Sequence, residues 1–146
     1  MRRSTLLIDA DDTLWENNVF FEKVIEDFIS LTERHRLILF TKGEPAEQAA
    51  KVERSGLQGF FEFIEIVPEK DPVTYRSLVN KHKIVKSHGW MVGNSPRSDI
   101  NPALQLGLNA VYIPNANTWM LEHEAVLSGP GKLVIVSAFR ELRGHF

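Results

Sequence analysis

The sequence predicts an α/β fold: a three-layer sandwich in which helices cover both faces of a central, mainly parallel sheet. Short apolar runs alternate along the chain with segments whose apolar residues recur at helical spacing. This is the pattern of strands that alternate with helices. No repeat, linker or low-complexity stretch interrupts it, and 146 residues suffice for one sizeable core. We therefore expect a single domain over residues 1–146.

The first predicted elements are a strand, a helix and a second strand. Thr5–Ile8 is a short apolar run suited to a buried strand. Apolar residues then recur at helical spacing over residues 20–31, which predicts one helix. The run "RLILF" at 36–40 predicts the next strand. On this prediction a single helix fills the interval between the first two strands.

The second part of the chain continues the alternation. Pro45 is well placed as the first residue of a helix that runs to about Ser55, and Gly56 can end it. The alternating run at 61–67 predicts a third strand. The remaining predicted elements are a helix over 73–81, a strand over 90–93, a short helix over 102–106 closed by Gly107, and strands over 109–113 and 132–136. Together these elements predict a Rossmann-like sandwich.

Polar side chains follow the first four predicted strands, where the carboxyl ends of a parallel sheet form binding sites. These candidate residues are Asp9 and Asp11 after the first strand, Thr41 after the second, Lys70 after the third, and Asn94 and Asp99 after the fourth. They supply carboxylates, a hydroxyl, an ammonium and an amide at one edge. Such a set suits a hard cation and a phosphoryl group.

Three carboxylates crowd into four positions directly after the first strand: Asp9, Asp11 and Asp12. Like charges at this spacing repel, and desolvation adds to the cost. Side chains two residues apart in extended backbone share a side, so Asp9 and Asp11 can face one site while Asp12 points elsewhere. The cluster therefore needs a cation, a role in phosphate chemistry, or enough water to make it harmless.

Four stretches that contain the candidate residues form a motif pattern: "DADDTL", "LILFT", "EKDPVTY" and "MVGNSPRSDINPALQLGLNAVYI". They resemble the motifs of the haloacid dehalogenase-like hydrolase superfamily, especially its magnesium-dependent phosphatases, and the resemblance covers nearly the whole chain. The resemblance implies that Asp9 is the nucleophile and Asp11 the general acid and base. It also implies that Thr41 donates to a phosphoryl oxygen and that Lys70 neutralises charge. Dehalogenases of the superfamily lack the second aspartate, so Asp11 favours phosphoryl chemistry.

The resemblance also implies a Mg²⁺ site formed by Asp9, the carbonyl of Asp11, Asn94 and Asp99. Asn94 departs from the family pattern, which usually has an aspartate there, so we expect weaker binding of the ion. Asp99 is expected to bind the ion directly, to bind it through water, or to hold Lys70. Lys83 and Lys86 compete with Lys70 for the role of the site's lysine.

Many relatives carry a helical cap between the first two motifs, but only 31 residues separate Asp9 from Thr41 here. We therefore expect no cap domain, whether its absence is natural or the result of engineering. The site should then be open unless another subunit covers it. Trp15 and Trp119 are expected either to pack in the core or to wall the mouth of that site. An exposed apolar patch over residues 15–21 would favour a homo-oligomer.

Composition excludes several classes of function. The formal net charge of −2 gives no basic field for nucleic acid, and the absence of cysteine excludes disulfides and thiolate metal sites. The apolar run after the basic start is too short for a signal peptide, and no stretch could span a membrane. We expect a cytoplasmic protein that acts on a small phosphorylated substrate, with neither nucleic acid nor membrane as partner.

Two other classes stay open at this point. A phospho-acceptor receiver domain also places acidic residues, Thr and Lys at strand ends. However, it needs a lone phosphorylatable Asp after the third strand, where this chain has Lys70 before Asp71. A non-catalytic binding or regulatory module of the same fold is the second alternative, which Asn94 and the short interval before Thr41 motivate.

Overall fold

A computed structural model describes residues 3–16, 19–20, 24–116 and 118–146, with only the backbone given for residues 16, 19, 20 and 24. Short 3-10 turns and one π-helical turn, Pro96–Ile100, connect the regular elements. The strands are β1 Thr5–Ile8, β2 Trp15–Glu16, β3 Val19–Phe20, β4 Arg36–Lys42, β5 Phe63–Val67, β6 Gly89–Gly93, β7 Asn109–Tyr112 and β8 Leu133–Ile135. The α-helices are α1 Val24–Thr32, α2 Pro45–Ser55, α3 Pro72–Lys81 and α4 Asn101–Leu106.

Six strands form one parallel sheet in the order β5-β4-β1-β6-β7-β8. The chain runs outward from β1 through β4 to β5, then crosses back to β6 on the other side of β1. With the β2–β3 hairpin set aside, this is the 3-2-1-4-5-6 order of a Rossmann sheet. The predicted Rossmann-like fold is confirmed, and its switch point lies between the carboxyl ends of β1 and β6.

Two apolar layers hold the helices on the sheet. Leu6 and Ile8 of β1 point to one face, where they join a cluster that includes Phe28 of α1 and Val52 of α2. Leu7 points to the opposite face and packs in the cluster that contains residues of α3 and α4. This alternation follows from the two-residue period of a strand. Because β1 is buried on both faces, its end is a rigid base for the residues that follow.

The interval between Asp9 and Thr41 differs from the prediction. Within the described residues, the helix predicted over 20–31 is seen from Val24 onward as α1, and Phe20 instead pairs with Trp15 in the antiparallel β2–β3 hairpin. The predicted helix was wrong at its start, because apolar residues of the hairpin happen to fall at helical spacing relative to those of α1. The described part of this interval therefore holds a hairpin and α1, and no cap domain.

Other bounds shift by one or two residues. The strand predicted over 61–67 begins at Phe63, because the amide of Phe61 closes the preceding 3-10 turn onto the carbonyl of Gln58 at 3.2 Å. The last strand is shorter than predicted, Leu133–Ile135 rather than 132–136. None of the helices in the described ranges is long and apolar enough to cross a membrane.

Candidate active site

A cavity of about 160 Å³ lies at the carboxyl edge of the sheet. The six candidate residues all line it: Asp9, Asp11, Thr41, Lys70, Asn94 and Asp99. The rival lysines Lys83 and Lys86 are exposed and precede β6, which places them toward the opposite edge. The structure therefore brings the predicted strand-end residues together and places Lys70, rather than Lys83 or Lys86, in the cavity.

Lys70 bridges two buried carboxylates. Its Nζ lies 2.7 Å from Asp9 Oδ1 and 2.8 Å from Asp99 Oδ1, and 5.0 Å from the centre of the Phe40 ring. Burial alone would lower the pKa of Lys70, but the attraction of Asp9 and Asp99 outweighs it and raises that pKa above its ordinary value. Lys70 is thus held as a cation between the two acids.

Asp9 carries the opposite perturbation. Burial, followed by the charge of Asp99, raises the pKa of Asp9 to about 7, against the lowering effect of Lys70. One ammonium faces two carboxylates here, so the described charges leave a net negative site. A further cation near Asp9 would favour its ionised form.

Asp99 is held by both of its oxygens. Oδ1 accepts from Lys70, and Oδ2 accepts from the backbone amide of Ser95 at 3.0 Å. Its close approach depends on Gly93, because a Cβ there would lie 2.2 Å from Asp99 Oδ2. The Tyr75 hydroxyl of α3 donates to the Asp99 carbonyl at 3.2 Å and ties down the π-helical turn. Of the roles expected for Asp99, this geometry favours holding Lys70.

The side-chain amide of Asn94 faces the oxygens of β1. In the amide orientation that its hydrogen-bonding neighbours favour, its nitrogen donates to Asp9 Oδ2 at 2.9 Å and to the carbonyl of Asp11 at 3.2 Å, while its oxygen accepts from Thr118 Oγ1 at 2.8 Å. Thr13 Oγ1 also donates to Asp9 Oδ2, at 3.0 Å. The amide N–H groups thus occupy the position between the two oxygens that the resemblance assigns to the metal.

These residues fit a hard cation. A half-turn of the Asn94 amide would present its oxygen beside Asp9 Oδ2 and the Asp11 carbonyl, and the Thr118 hydroxyl can donate as readily as accept. Three convergent oxygens with few charges suit Mg²⁺, which keeps several of its waters. Across the described ranges, no three His, Cys, Asp or Glu groups converge as a ready-made metal cage. The site therefore depends on a carbonyl and an amide.

The Asp11 carboxylate is oriented by side chains from two elements. Trp15 Nε1 donates to Asp11 Oδ1 at 2.9 Å, Gln48 Nε2 of α2 donates to Oδ2 at 3.3 Å, and Lys51 Nζ lies 3.5 Å from Oδ1. Trp15 is only 2% exposed, so it belongs to the core and does not wall the mouth. The side chains of residues 20 and 21, the rest of the predicted apolar patch, lie outside the described residues.

Glu122 is a member of the site that the sequence did not indicate. Its carboxylate binds Lys42 Nζ, accepts from Ser95 Oγ at 2.6 Å, and accepts from Ser98 Oγ. Burial alone would raise the pKa of Glu122, but the hydrogen bonds of these partners lower it to about 2. Glu122 follows β7 in a segment without apolar periodicity, so no pattern in the sequence pointed to it.

Comparison with known proteins identifies the fold. No protein-family model and no curated protein matches the sequence. A crystal structure of a haloacid dehalogenase-like family hydrolase from Xanthomonas campestris is 29% identical, with a TM-score of 0.71 over 86% of this chain and 53% of that one. The chain has the haloacid dehalogenase-like fold. This HAD-like fold confirms the resemblance that the motifs indicated.

Two further solved structures share the fold of this chain. An uncharacterized protein from Listeria monocytogenes serotype 4b is 17% identical, with a TM-score of 0.81 over 97% of this chain and 96% of that one. A magnesium-bound HAD-hydrolase from Bacillus subtilis is 16% identical, with a TM-score of 0.71 over 88% of this chain and 56% of that one. The HAD-like chain thus spans about half the length of the Xanthomonas and Bacillus proteins. Other similar structures include dehalogenases and phosphatases.

Proposed function

We propose that the chain is a magnesium-dependent phosphatase that hydrolyses a small phosphomonoester through an aspartyl-phosphate on Asp9. The observation that carries this proposal is the grouping of Asp9, Asp11, Thr41 and Lys70 around one cavity, with Lys70 Nζ 2.7 Å from the Asp9 carboxylate. A carboxylate can attack phosphorus only where cations and donors neutralise the phosphate that it approaches. Lys70 and the buried hydroxyl of Thr41 supply one charge and one donor.

In the first step, an oxygen of Asp9 forms a bond to phosphorus and the bond from phosphorus to the leaving oxygen breaks. Asp11, protonated at the start of this step, gives its proton to that oxygen, so the leaving group departs as a neutral alcohol. In the second step, Asp11 accepts a proton from water, the water oxygen attacks phosphorus, and the Asp9–phosphorus bond breaks. Inorganic phosphate leaves and both aspartates return to their starting states.

The hydrogen bonds to Asp11 fix the position of its carboxylate. Trp15 and Gln48 fix the carboxylate at 2.9 and 3.3 Å, and a catalytic acid must be held in one geometry to act within a proton's reach. Asp9, the carbonyl of Asp11 and the Asn94 oxygen would hold Mg²⁺, while Asp99 fixes Lys70. The ion, when bound, would neutralise charge on the phosphoryl oxygens.

Steady-state hydrolysis of para-nitrophenyl phosphate with Mg²⁺ tests the proposal. We expect turnover by the wild-type chain and a loss of at least about a thousand-fold in Asp9→Asn, because the nucleophile is gone. Lys86→Met, which removes an exposed cation far from the cavity, is the matched control and should keep the wild-type rate. Full activity of a pure, folded Asp9→Asn protein would overturn the mechanism.

The same experiment separates the other classes. A receiver-like domain would label itself once without turnover, and a non-catalytic module would do neither. Chloride release from 2-chloropropionate tests carbon–halogen chemistry, which dehalogenases among the similar structures make relevant. We expect none, because the resemblance associates Asp11 with phosphoryl transfer.

A further inference from the structure

A short turn forms one side of the cavity mouth. Residues 118–122, here called the rim turn, follow β7 and carry Trp119 into the lining of the same cavity as Asp9 and Thr41. The Trp119 side chain is nevertheless 64% exposed. A large aromatic surface therefore stands open to solvent beside the position proposed for the phosphoryl group.

The rim turn is anchored at both ends, although its apolar side chains are exposed to solvent. Glu122 is buried and bound to Lys42, Ser95 and Ser98. Thr118 Oγ1 is bonded to the Asn94 amide at 2.8 Å. A fixed backbone lowers the entropy lost when a ligand packs on the indole, and this pre-organisation favours binding. The backbone that carries the exposed ring is thus held on both sides of Trp119.

The two lysines that line the cavity are already paired with carboxylates. Lys42 is paired with Glu122 and with Glu69, the latter at 3.2 Å. Lys70 is committed to Asp9 and Asp99, and these two lysines are the cations among the described residues that line the cavity. A second anionic group on the substrate would therefore find no unpaired lysine there, and it would meet the repulsion of nearby carboxylates.

We propose that Trp119 is the platform for the leaving group and that the chain prefers phosphomonoesters with a planar aromatic, uncharged leaving group. This inference rests on the proposed phosphatase function and names its substrate class. An aromatic ring that stacks on the indole gains about 0.5–1.5 kcal/mol beyond simple area burial, which corresponds to about two- to ten-fold in affinity. An anionic leaving group of similar size gains no such contact.

Binding of non-hydrolysable phosphonates tests this without requiring turnover. Calorimetric titration of the Mg²⁺-loaded protein should show tighter binding of phenylphosphonate than of methylphosphonate or phosphonoacetate. In Trp119→Ala, the ratio of the phenylphosphonate to the methylphosphonate affinity should fall about three- to ten-fold. Trp119→Phe should retain most of the ratio, because it keeps an aromatic face.

Met120→Ala is the matched control, since Met120 is an exposed neighbour in the rim turn that does not line the cavity. Its affinity ratio should equal that of the wild type. An unchanged ratio in Trp119→Ala, or tighter binding of phosphonoacetate than of phenylphosphonate, would overturn the inference. Such a result would leave the proposed function intact if para-nitrophenyl phosphate is still hydrolysed. A wild-type chain that does not hydrolyse para-nitrophenyl phosphate would instead count against the phosphatase proposal.

Discussion

Asn94 decides how the charge of this site is balanced in the absence of a cation. Its amide nitrogen donates to Asp9 Oδ2 and to the Asp11 carbonyl, so two acceptors that would otherwise repel each other share one donor group. An aspartate at this position could not do so. The departure from the family motif therefore has a physical consequence: the neutral amide stabilises the metal-free site and reduces the attraction for a cation.

The substitution Asn94→Asp should separate these two effects. The new carboxylate should tighten Mg²⁺ binding about ten-fold or more, because it adds a charge within a few ångströms of the ion. The same change should lower the free energy of unfolding without Mg²⁺ by about 1–3 kcal/mol, since two hydrogen bonds become a repulsive contact. Calorimetric titration with Mg²⁺ and urea unfolding in chelator measure the two quantities.

Asn94→Asp must strengthen Mg²⁺ binding and at the same time weaken the fold without Mg²⁺, so both measurements test the prediction. Equal Mg²⁺ affinities in the two proteins would mean that Asn94 is not a ligand and that Asp99 or water holds its position. The maximal rate need not rise, because an ion already neutralised by an extra carboxylate polarises the phosphate less.

The sequence predicted the positions of the residues at strand ends better than it predicted which side chains contact them. Asp9, Thr41 and Lys70 could be placed because a parallel sheet brings its carboxyl ends to one edge. Trp15 was expected either in the core or at the mouth, and the structure buries it against Asp11. Gln48 lies on a helix face whose contacts depend on the packing of α2, which no local pattern reports.

At the scale of elements, the two irregular segments of the site were the hardest to predict. The π-helical turn Pro96–Ile100 and the rim turn have no apolar periodicity, because hydrogen bonds rather than core packing hold them. The β2–β3 hairpin was missed for a related reason. Its strands are two residues long, and the Asn-Asn pair between them in the sequence was the one turn signal available.

Glu122 anchors the rim turn through its ionised carboxylate. The stability that this anchor contributes should therefore decrease at acidic pH. The folded protein lowers the pKa of Glu122 from 4.5 to about 2. As the pH falls below 4.5, the unfolded chain takes up a proton that the folded protein does not, so this stabilisation is present above 4.5 and is lost toward 2. Glu122→Gln should cost about 1–3 kcal/mol at pH 7, and the cost should shrink at pH 3.

Urea unfolding of both proteins at pH 7, 5 and 3 measures this difference. Glu124→Gln is the control, because Glu124 is an exposed glutamate two residues along the same segment. A cost for Glu122→Gln that stays constant from pH 7 to pH 3 would show that the ionised carboxylate does not provide the anchor.

For the whole molecule, the sheet order explains why one edge carries all the chemistry. The chain reverses its direction of travel beside β1, so loops from both halves of the sheet meet around Asp9. The interval before Thr41 holds a hairpin and one helix in its described part, which leaves the mouth to the rim turn. A homo-oligomer that covers this mouth stays a prediction.

The proposed cation site would link the stability of the fold to Mg²⁺. Mg²⁺ bound by groups from β1 and β6 would bind only the folded protein, so it should raise the free energy of unfolding by RT ln(1 + [Mg²⁺]/Kd). At ten times the Kd measured by calorimetry, this is about 1.4 kcal/mol, or roughly 3–6 °C in the melting temperature.

Sodium chloride at equal ionic strength is the necessary control, because screening of the crowded carboxylates also stabilises the fold. Asp9→Asn should lose the specific shift while it melts no lower than the wild type in chelator, since the substitution relieves repulsion with Asp99. Equal melting temperatures in matched magnesium and sodium salts would refute the proposed cation site at this edge of the sheet.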